Sequence, residues 1–329
     1  TFHQAMKVVS TLEGERDSIT TVANHYFPPP SWGLGHGGGL ATLEEETRKV
    51  LGFSRDSTAM LFTGADMDNL AVVKKGFQDM AVIALVTAGV KSNALRMGAD
   101  SGSFYEPGTP SNKQKPGTIN ILLLTNMQLS TRAMTRAIIS ATEGKSAALQ
   151  DLDIRSSYSS ALNQATGTGT DNIIVVQGTG TPVDLSGGHT KMGELIARTV
   201  YEGVQQAIHK QNGLSGKRSI FQRLKERQIN LHQYSHQDPA IYSQLERILL
   251  QEPYVSFMAA SLAISDDYSH GLINDLNGFE AWCQDMADSI GGREVKIRYE
   301  EKSEIPTVIN RAISSLVSGI RSAETSPLP

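Results

Sequence analysis

The sequence predicts an α+β protein: a central mixed, largely antiparallel sheet packed with helices, followed by a mainly helical C-terminal extension. Three observations lead to this fold class. Short β-type runs fill the first half of the 329-residue chain, two of them lie too close together for a crossover helix, and helical patterns dominate after residue 213. We therefore expect a core over residues 1–214 and an extension over residues 215–329.

The β-type runs of the core are short and rich in valine, isoleucine and threonine. The runs at 70–76 and 80–89 are separated by three residues, which predicts an antiparallel hairpin. The run at 118–124 is almost continuously apolar, as expected of a central strand buried on both faces. Further strands are predicted at residues 7–12, 17–22, 58–64 and 173–176.

Helices are predicted from apolar residues that recur at helical spacing. The pattern is clearest over residues 191–211, where Gly213 closes the helix. Ser130 is a suitable N-cap for a second helix, which we expect to pack on the sheet. The remaining expectations are a polar helix over 42–51, several short helices over 217–290, an edge strand over 294–301 and a last helix over 305–320.

Composition excludes several classes of function. The net charge is −4 and the lysines and arginines are dispersed, so we expect no nucleic-acid partner and no membrane association. The longest apolar run, at 254–264, is too short to span a bilayer, and no charged and apolar leader opens the chain. The single cysteine, Cys283, cannot form an internal disulfide. We expect a cytoplasmic protein.

Two groups of residues between 140 and 175 carry candidate chemistry. The Gly/Thr loop ATGTGTD ends on Asp171, and its backbone N–H groups and hydroxyls can cradle an anion or an oxyanion, although such turns also occur as plain connections. No Lys-Ser/Thr pair follows its glycines, so it is not a Walker loop. Glu143 and Lys145 can act as a general base with a stabilising ammonium, or can be an ordinary surface pair.

Histidines outside this region are ambiguous from the sequence. His25 lies beside Asn24 before three prolines, and His36 lies among glycines. His189 and Lys191 open the long helix, where an N-terminus can hold a phosphate or carboxylate or can simply be capped. His232 and His236 have i, i+4 spacing but lack the glutamate of a zincin, so we expect no metal held by the protein.

Covalent catalysis is a further option. Thr168, Thr170 or Ser186 could act with a histidine, and Thr1 could act as an N-terminal nucleophile after processing. The chain contains no GxSxG nucleophile elbow.

Five blocks of sequence resemble the adenosylcobinamide amidohydrolase family. They occur in the same order as in that family and span roughly residues 7–210, which is more specific than any single motif. The blocks are VVSTLEGERDSITTVANHYFPPP, LVTAGVKSNALRMG, GTINILLLTNMQLSTRAM, ATEGKSAALQDLDIRSS and ATGTGTDNIIVV.

The resemblance implies hydrolysis of the amide that joins the aminopropanol arm to the corrin ring of adenosylcobinamide, which gives adenosylcobyric acid. Some family members also act on complete pseudo-cobalamin-type corrinoids. The expected partner is a corrinoid, and no cofactor is expected because cobalt enters only as part of that substrate. By resemblance the site contains Asn24, His25, Asn93, Asn120, Glu143, Lys145, Thr168, Thr170 and Asp171.

The chemistry of these residue types suggests roles for them. Glu143 or Asp171 is expected to activate a water, His25 to protonate the departing nitrogen, and Lys145 with the backbone of 167–169 to hold the oxyanion. The amides of the three asparagines, with His36, Thr168, Thr170, His189 and Lys191, are expected to bind a substrate edged with primary amides.

Two other classes of function and the assembly state are left open. A corrinoid-binding carrier would use the same cleft without needing Glu143 or Asp171 ionised. An N-terminal-nucleophile amidase would depend on Thr1 instead. Residues 215–329 match nothing in the family core, and the role of this extension is open. The sequence is therefore compatible with a homo-oligomer as well as with a monomer.

Overall fold

The computed structural model describes residues 1–28, 40–102, 117–300 and 302–324, with the side chains of 40, 41 and 43 left out. The chain folds into two compact units. The first contains Thr1–Tyr158 and Gln164–Gly216, and the second contains Ser159–Asn163 and Lys217–Pro329. The single boundary predicted after residue 214 does not account for Ser159–Asn163, which group with the second unit.

The first unit contains a six-stranded sheet. Its strands are β1 Met6–Ser10, β2 Gly14–Ile19, β5 Ala71–Phe77, β6 Met80–Ala88, β8 Ile119–Thr125 and β11 Asn172–Val176. They are arranged in the order β2-β1-β11-β8-β6-β5. β11 pairs with β8 in parallel, and every other pair in this sheet is antiparallel. The predicted mixed, largely antiparallel sheet and its hairpin are therefore confirmed.

Three smaller pairs of strands complete the β-structure that is described. β3 Thr21–Tyr26 and β4 Thr58–Thr63 form a parallel pair against one face of the large sheet. The other two pairs are only two residues long: β7 Ala94–Leu95 with β10 Gly167–Thr168, and β9 Gln128–Leu129 with β12 Pro182–Val183.

The opposite face of the large sheet is covered by two long helices, which follow the polar helix α1, Leu40–Leu51. α2 spans Thr131–Asp151 and begins directly after Ser130, as predicted; α3 spans Lys191–Asn212, within one residue of its predicted bounds. The Ser130 side chain accepts the N–H of Ala133, which is the predicted N-cap. The largest apolar core of this unit lies between the sheet and the two long helices.

The second unit is helical and has a separate apolar core. Its helices are α4 Ile220–Glu226, α5 Pro239–Ile248, α6 Tyr254–Ser269, α7 Asn277–Gly291 and α8 Thr307–Glu324. Short 3₁₀ turns occur at Arg55–Ser57, Met67–Asn69 and Leu231–Tyr234. Among the residues described, no helix is both long and apolar enough to cross a membrane.

The edge strand predicted over residues 294–301 is wrong. The described part of this segment carries no strand, because side chains take the backbone N–H groups that a ladder would use. Val295 donates to Asp288 Oδ1 at 2.7 Å, and Arg298 donates to Ser318 Oγ at 3.1 Å. These bonds hold the segment against two helices, and its alternating sequence pattern does not mark a strand.

Candidate active site

Asp171 lies directly before β11 and accepts four hydrogen bonds. Oδ1 accepts the N–H of Ile119 at 2.9 Å and the hydroxyl of Thr168 at 2.5 Å. Oδ2 accepts the N–H of Thr168 at 3.0 Å and an ammonium proton of Lys145. An ionised carboxylate has about four acceptor positions, so this carboxylate is fully occupied in the structure.

Lys145 reaches Asp171 from the buried side of α2. The two side chains form an ion pair in which Lys145 is 9% exposed and Asp171 is 12% exposed. Because water is largely excluded, the attraction is stronger than that of a surface pair, and each charge depends on its partner. The expected pairing of Lys145 with Glu143 is corrected. Glu143 is exposed, and residues two positions apart do not face each other on a helix.

Gly167 leaves the space in which this pair forms. A Cβ at this position would lie 2.6 Å from Asp171 Oδ2 and 2.8 Å from Lys145 Nζ. Such approaches are shorter than real Cβ atoms tolerate, so the first glycine of the GTGT motif is needed for close approach.

The rest of the Gly/Thr loop is tied to the residues before β8. The Thr118 hydroxyl donates to Thr170 O at 2.6 Å, and the Thr170 hydroxyl donates to Gly117 O at 3.0 Å. Asn93 Nδ2 also donates to Gly117 O, at 2.9 Å, and Gly169 N–H donates to Asn93 O at 3.3 Å. The loop N–H groups of residues 168 and 169 are thus used inside the protein, whereas they were expected to hold an oxyanion.

The two other asparagines predicted for the site, Asn24 and Asn120, lie on the side of the large sheet that β3 and β4 cover. Asn120 is fully buried, and its Nδ2 donates to Asn24 Oδ1 at 2.9 Å and to Phe62 O at 2.7 Å. Asn24 Nδ2 donates to Thr87 Oγ1 at 2.9 Å. Asn120 Oδ1 has no hydrogen-bond partner among the residues that are described. These amides join β3 and β4 to the central strands.

His25 lies in an aromatic environment. Its ring centroid is 5.3 Å from that of Phe27 and 6.1 Å from that of Phe62, both in edge-on geometry. Burial lowers the pKa of this imidazole below its ordinary value of 6.5. At neutral pH the ring is therefore mostly neutral, which does not suit the role of proton donor. The structure gives no hydrogen bond or ion pair between His25 and the Asp171 group within the described residues.

The lowered pKa of His25 predicts a pH effect on stability. The unfolded chain binds more protons than the native state below about pH 6.5, so the free energy of unfolding falls as the pH drops through that value. Replacing His25 by glutamine removes this contribution. Urea unfolding of the wild type and His25→Gln at about pH 7.5 and 5.5 tests it. The variant should lose less stability on acidification, and an equal loss in both proteins would contradict the assignment.

Lys191 and His189 lie at the other end of the sheet. Lys191 pairs with Glu194 at 2.5 Å and lies over the ring of Phe77, where β5 ends. The same helix ends near the Asp171 end of the sheet, where Asn212 Oδ1 accepts the N–H of Val90. A helix of this length spans about 33 Å, so the two termini cannot share one small pocket. His189 is exposed. His36 lies outside the described residues.

Two participants were not found from the sequence. Tyr158 donates its hydroxyl to Asn93 Oδ1 at 2.9 Å, while its side chain is about half exposed. Thr118 is the hydroxyl that anchors the Gly/Thr loop. Thr118 is the second residue of one block that carries the family resemblance, and Tyr158 directly follows another. Nearness to these blocks is the signal that could have indicated them.

Two further candidate nucleophiles, Ser186 and Thr1, make their hydrogen bonds outside the Asp171 group. Ser186 is buried and donates its hydroxyl to Ala133 O at 2.6 Å. Thr1 is exposed and contacts the Thr21 hydroxyl at 3.5 Å. No group of three His, Cys, Asp or Glu residues suited to a metal ion is found in the described part of the chain.

The Asp171 group combines a carboxylate, an ammonium and a hydroxyl. A largely buried carboxylate that is paired with an ammonium and accepts a hydrogen bond from a hydroxyl can act as a general base towards that hydroxyl. The sequence model of the adenosylcobinamide amidohydrolase family matches residues 1–216. The chain therefore belongs to that family of amidohydrolases.

Two curated relatives each match more than half of this chain. An uncharacterized protein of Methanocaldococcus jannaschii is 44% identical over 220 residues, which cover 64% of this chain and 85% of the relative. A protein named adenosylcobinamide amidohydrolase from Methanosarcina mazei is 30% identical over 217 residues, which cover 61% of this chain and 90% of that protein.

Proposed function

We propose that this protein hydrolyses the amide between the aminopropanol arm and the corrin ring of adenosylcobinamide, giving adenosylcobyric acid. One observation carries the chemical part of this proposal: the buried Asp171–Lys145 pair with the Thr168 hydroxyl directed at the carboxylate. The family match supplies the substrate class. Complete pseudo-cobalamin-type corrinoids are the second substrate to be tested.

Asp171 is the proton carrier in this proposal. Its carboxylate takes a proton as the nucleophile attacks the amide carbon, and it returns that proton to the departing nitrogen. Lys145 balances the charge of the carboxylate before attack, and its two other N–H donors are oriented by the same ion pair. They are suited to the negative charge that develops on the carbonyl oxygen. This scheme needs no proton from His25.

Several hydrogen bonds hold the loop that carries Asp171 in place. Thr118 and Thr170 tie it to the start of β8, and Asn93 supports it from the preceding segment. Because these bonds fix Asp171 relative to Lys145, the charges are preorganised and need little rearrangement during the reaction. No resident cofactor has a role in the scheme.

The test is incubation of the purified protein with adenosylcobinamide under dim light, followed by chromatography and mass analysis. The proposal predicts adenosylcobyric acid and aminopropanol in equal amounts. Corrinoid that binds and is recovered unchanged would identify a carrier instead. Pseudo-cobalamin in a parallel incubation shows whether a complete lower ligand is accepted.

A further inference from the structure

The hydrogen bonds that Asp171 already accepts limit which group it can activate as the nucleophile. Each carboxylate oxygen already accepts two donors: Ile119 N–H and the Thr168 hydroxyl on Oδ1, and Thr168 N–H and Lys145 on Oδ2. A water can approach the carboxylate only by displacing one of them. A hydroxyl that can give its proton to Asp171 and then attack the substrate is already in place. The Thr168 hydroxyl donates a hydrogen bond to Oδ1 at 2.5 Å.

We propose that Thr168 is the nucleophile and forms an ester with the acyl group of the substrate. This inference rests on the proposed function and deepens it. The arrangement matches that of an activated hydroxyl: nucleophile and base are within hydrogen-bonding distance, and Lys145 orients the base in turn. The loop N–H of Thr168 bonds to the same carboxylate, so the backbone of the nucleophile is fixed as well.

The steps balance in atoms and electrons. The Thr168 hydroxyl proton moves to Asp171 while Oγ bonds to the amide carbon, and the carbonyl electron pair moves to oxygen, facing Lys145. Collapse breaks the C–N bond, and the nitrogen takes the proton from Asp171 and leaves as the amine. A water then attacks the ester, its proton passes through Asp171 to Oγ, and the C–Oγ bond breaks. The sum is one amide and one water converted to one carboxylic acid and one amine.

The first test compares three threonine variants by turnover of adenosylcobinamide. Thr168→Val keeps the branched shape and removes the hydroxyl, so turnover should fall by more than ~10³-fold. Thr168→Ser keeps a hydroxyl and should retain measurable turnover. Thr199→Val is the matched control, because Thr199 is also buried but donates only to Leu195 O of its own helix, at 2.6 Å. The control should remain active.

The second test separates a nucleophile from a hydroxyl that only positions Asp171. Hydroxylamine added to the wild-type reaction should divert the acyl group to a hydroxamate without slowing aminopropanol release, because the amine leaves before the ester is cleaved. Absence of hydroxamate, or full turnover by a folded Thr168→Val protein, would overturn the assignment of Thr168 as the nucleophile but not the proposed amide hydrolysis. A wild-type protein that releases no aminopropanol would overturn both proposals. Thermal unfolding of each variant shows that it is folded.

Discussion

Asp171→Asn is expected to abolish turnover and to destabilise the first unit at the same time. The substitution keeps the shape of the side chain but removes the charge that compensates Lys145, which is only 9% exposed. Removing one partner of a buried ion pair costs about 3–5 kcal/mol, because the remaining charge stays out of water. Turnover falls since the proton carrier is lost. Urea unfolding and the corrinoid assay on the same preparation measure both effects.

A double variant separates stability from chemistry. Replacing Lys145 by methionine together with Asp171→Asn removes the unpaired charge, so most of the lost stability should return while turnover stays absent. The partly exposed pair Lys75–Glu202 is the control, and Glu202→Gln should cost no more than about 1 kcal/mol. Wild-type stability in Asp171→Asn would show that the pair is not the buried charge interaction described above.

Gly144→Ala is expected to destabilise the protein although alanine favours a helix. By propensity alone this change within α2 would stabilise by about 1 kcal/mol. A Cβ at Gly144, however, would lie 2.6 Å from Ala197 O and 3.1 Å from Ala197 Cα, which are backbone atoms of α3. Overpacking of this kind costs about 1–3 kcal/mol or more, so the packing term dominates. Because Lys145 is the next residue, turnover should fall as well.

Gly278→Ala is the matched control for this prediction. Gly278 also lies in a helix, α7, and a Cβ there meets nothing within 4 Å. Its unit should therefore gain a few tenths of a kcal/mol to about 1 kcal/mol. Thermal unfolding of both variants provides the comparison. A Gly144→Ala protein more stable than the wild type would show that α2 and α3 can separate at little cost.

Much of the fold of the first unit could be predicted because its signals are local. The short connection between β5 and β6 predicts their antiparallel pairing, and the apolar run of β8 predicts its central position. The strand predicted in the segment at 294–300 was wrong because the structure of this segment depends on distant residues. Its alternating pattern is local, but the partners of its backbone, such as Asp288 and Ser318, are side chains of helices that the pattern cannot reveal.

The site was harder to predict because it depends on contacts between distant segments. Lys145 and Asp171 were both selected from the sequence, but Lys145 was paired with its neighbour Glu143 and not with a residue 26 positions away. Propensity also gives no reason for Gly144 within a helix, since that reason is the backbone of another helix. Lys191 lies at the N-terminus of a helix, as predicted, but the length of α3 places that terminus far from Asp171.

The most direct test of this account compares two carboxylate variants in the adenosylcobinamide assay. The Asp171 side chain is only 12% exposed and is paired with Lys145, whereas Glu143 is exposed on α2. The wild type and Glu143→Gln should release adenosylcobyric acid at similar rates, while folded Asp171→Asn should release none. Loss of turnover in Glu143→Gln with turnover retained in Asp171→Asn would contradict the assignment of the chemistry to the Asp171–Lys145 pair.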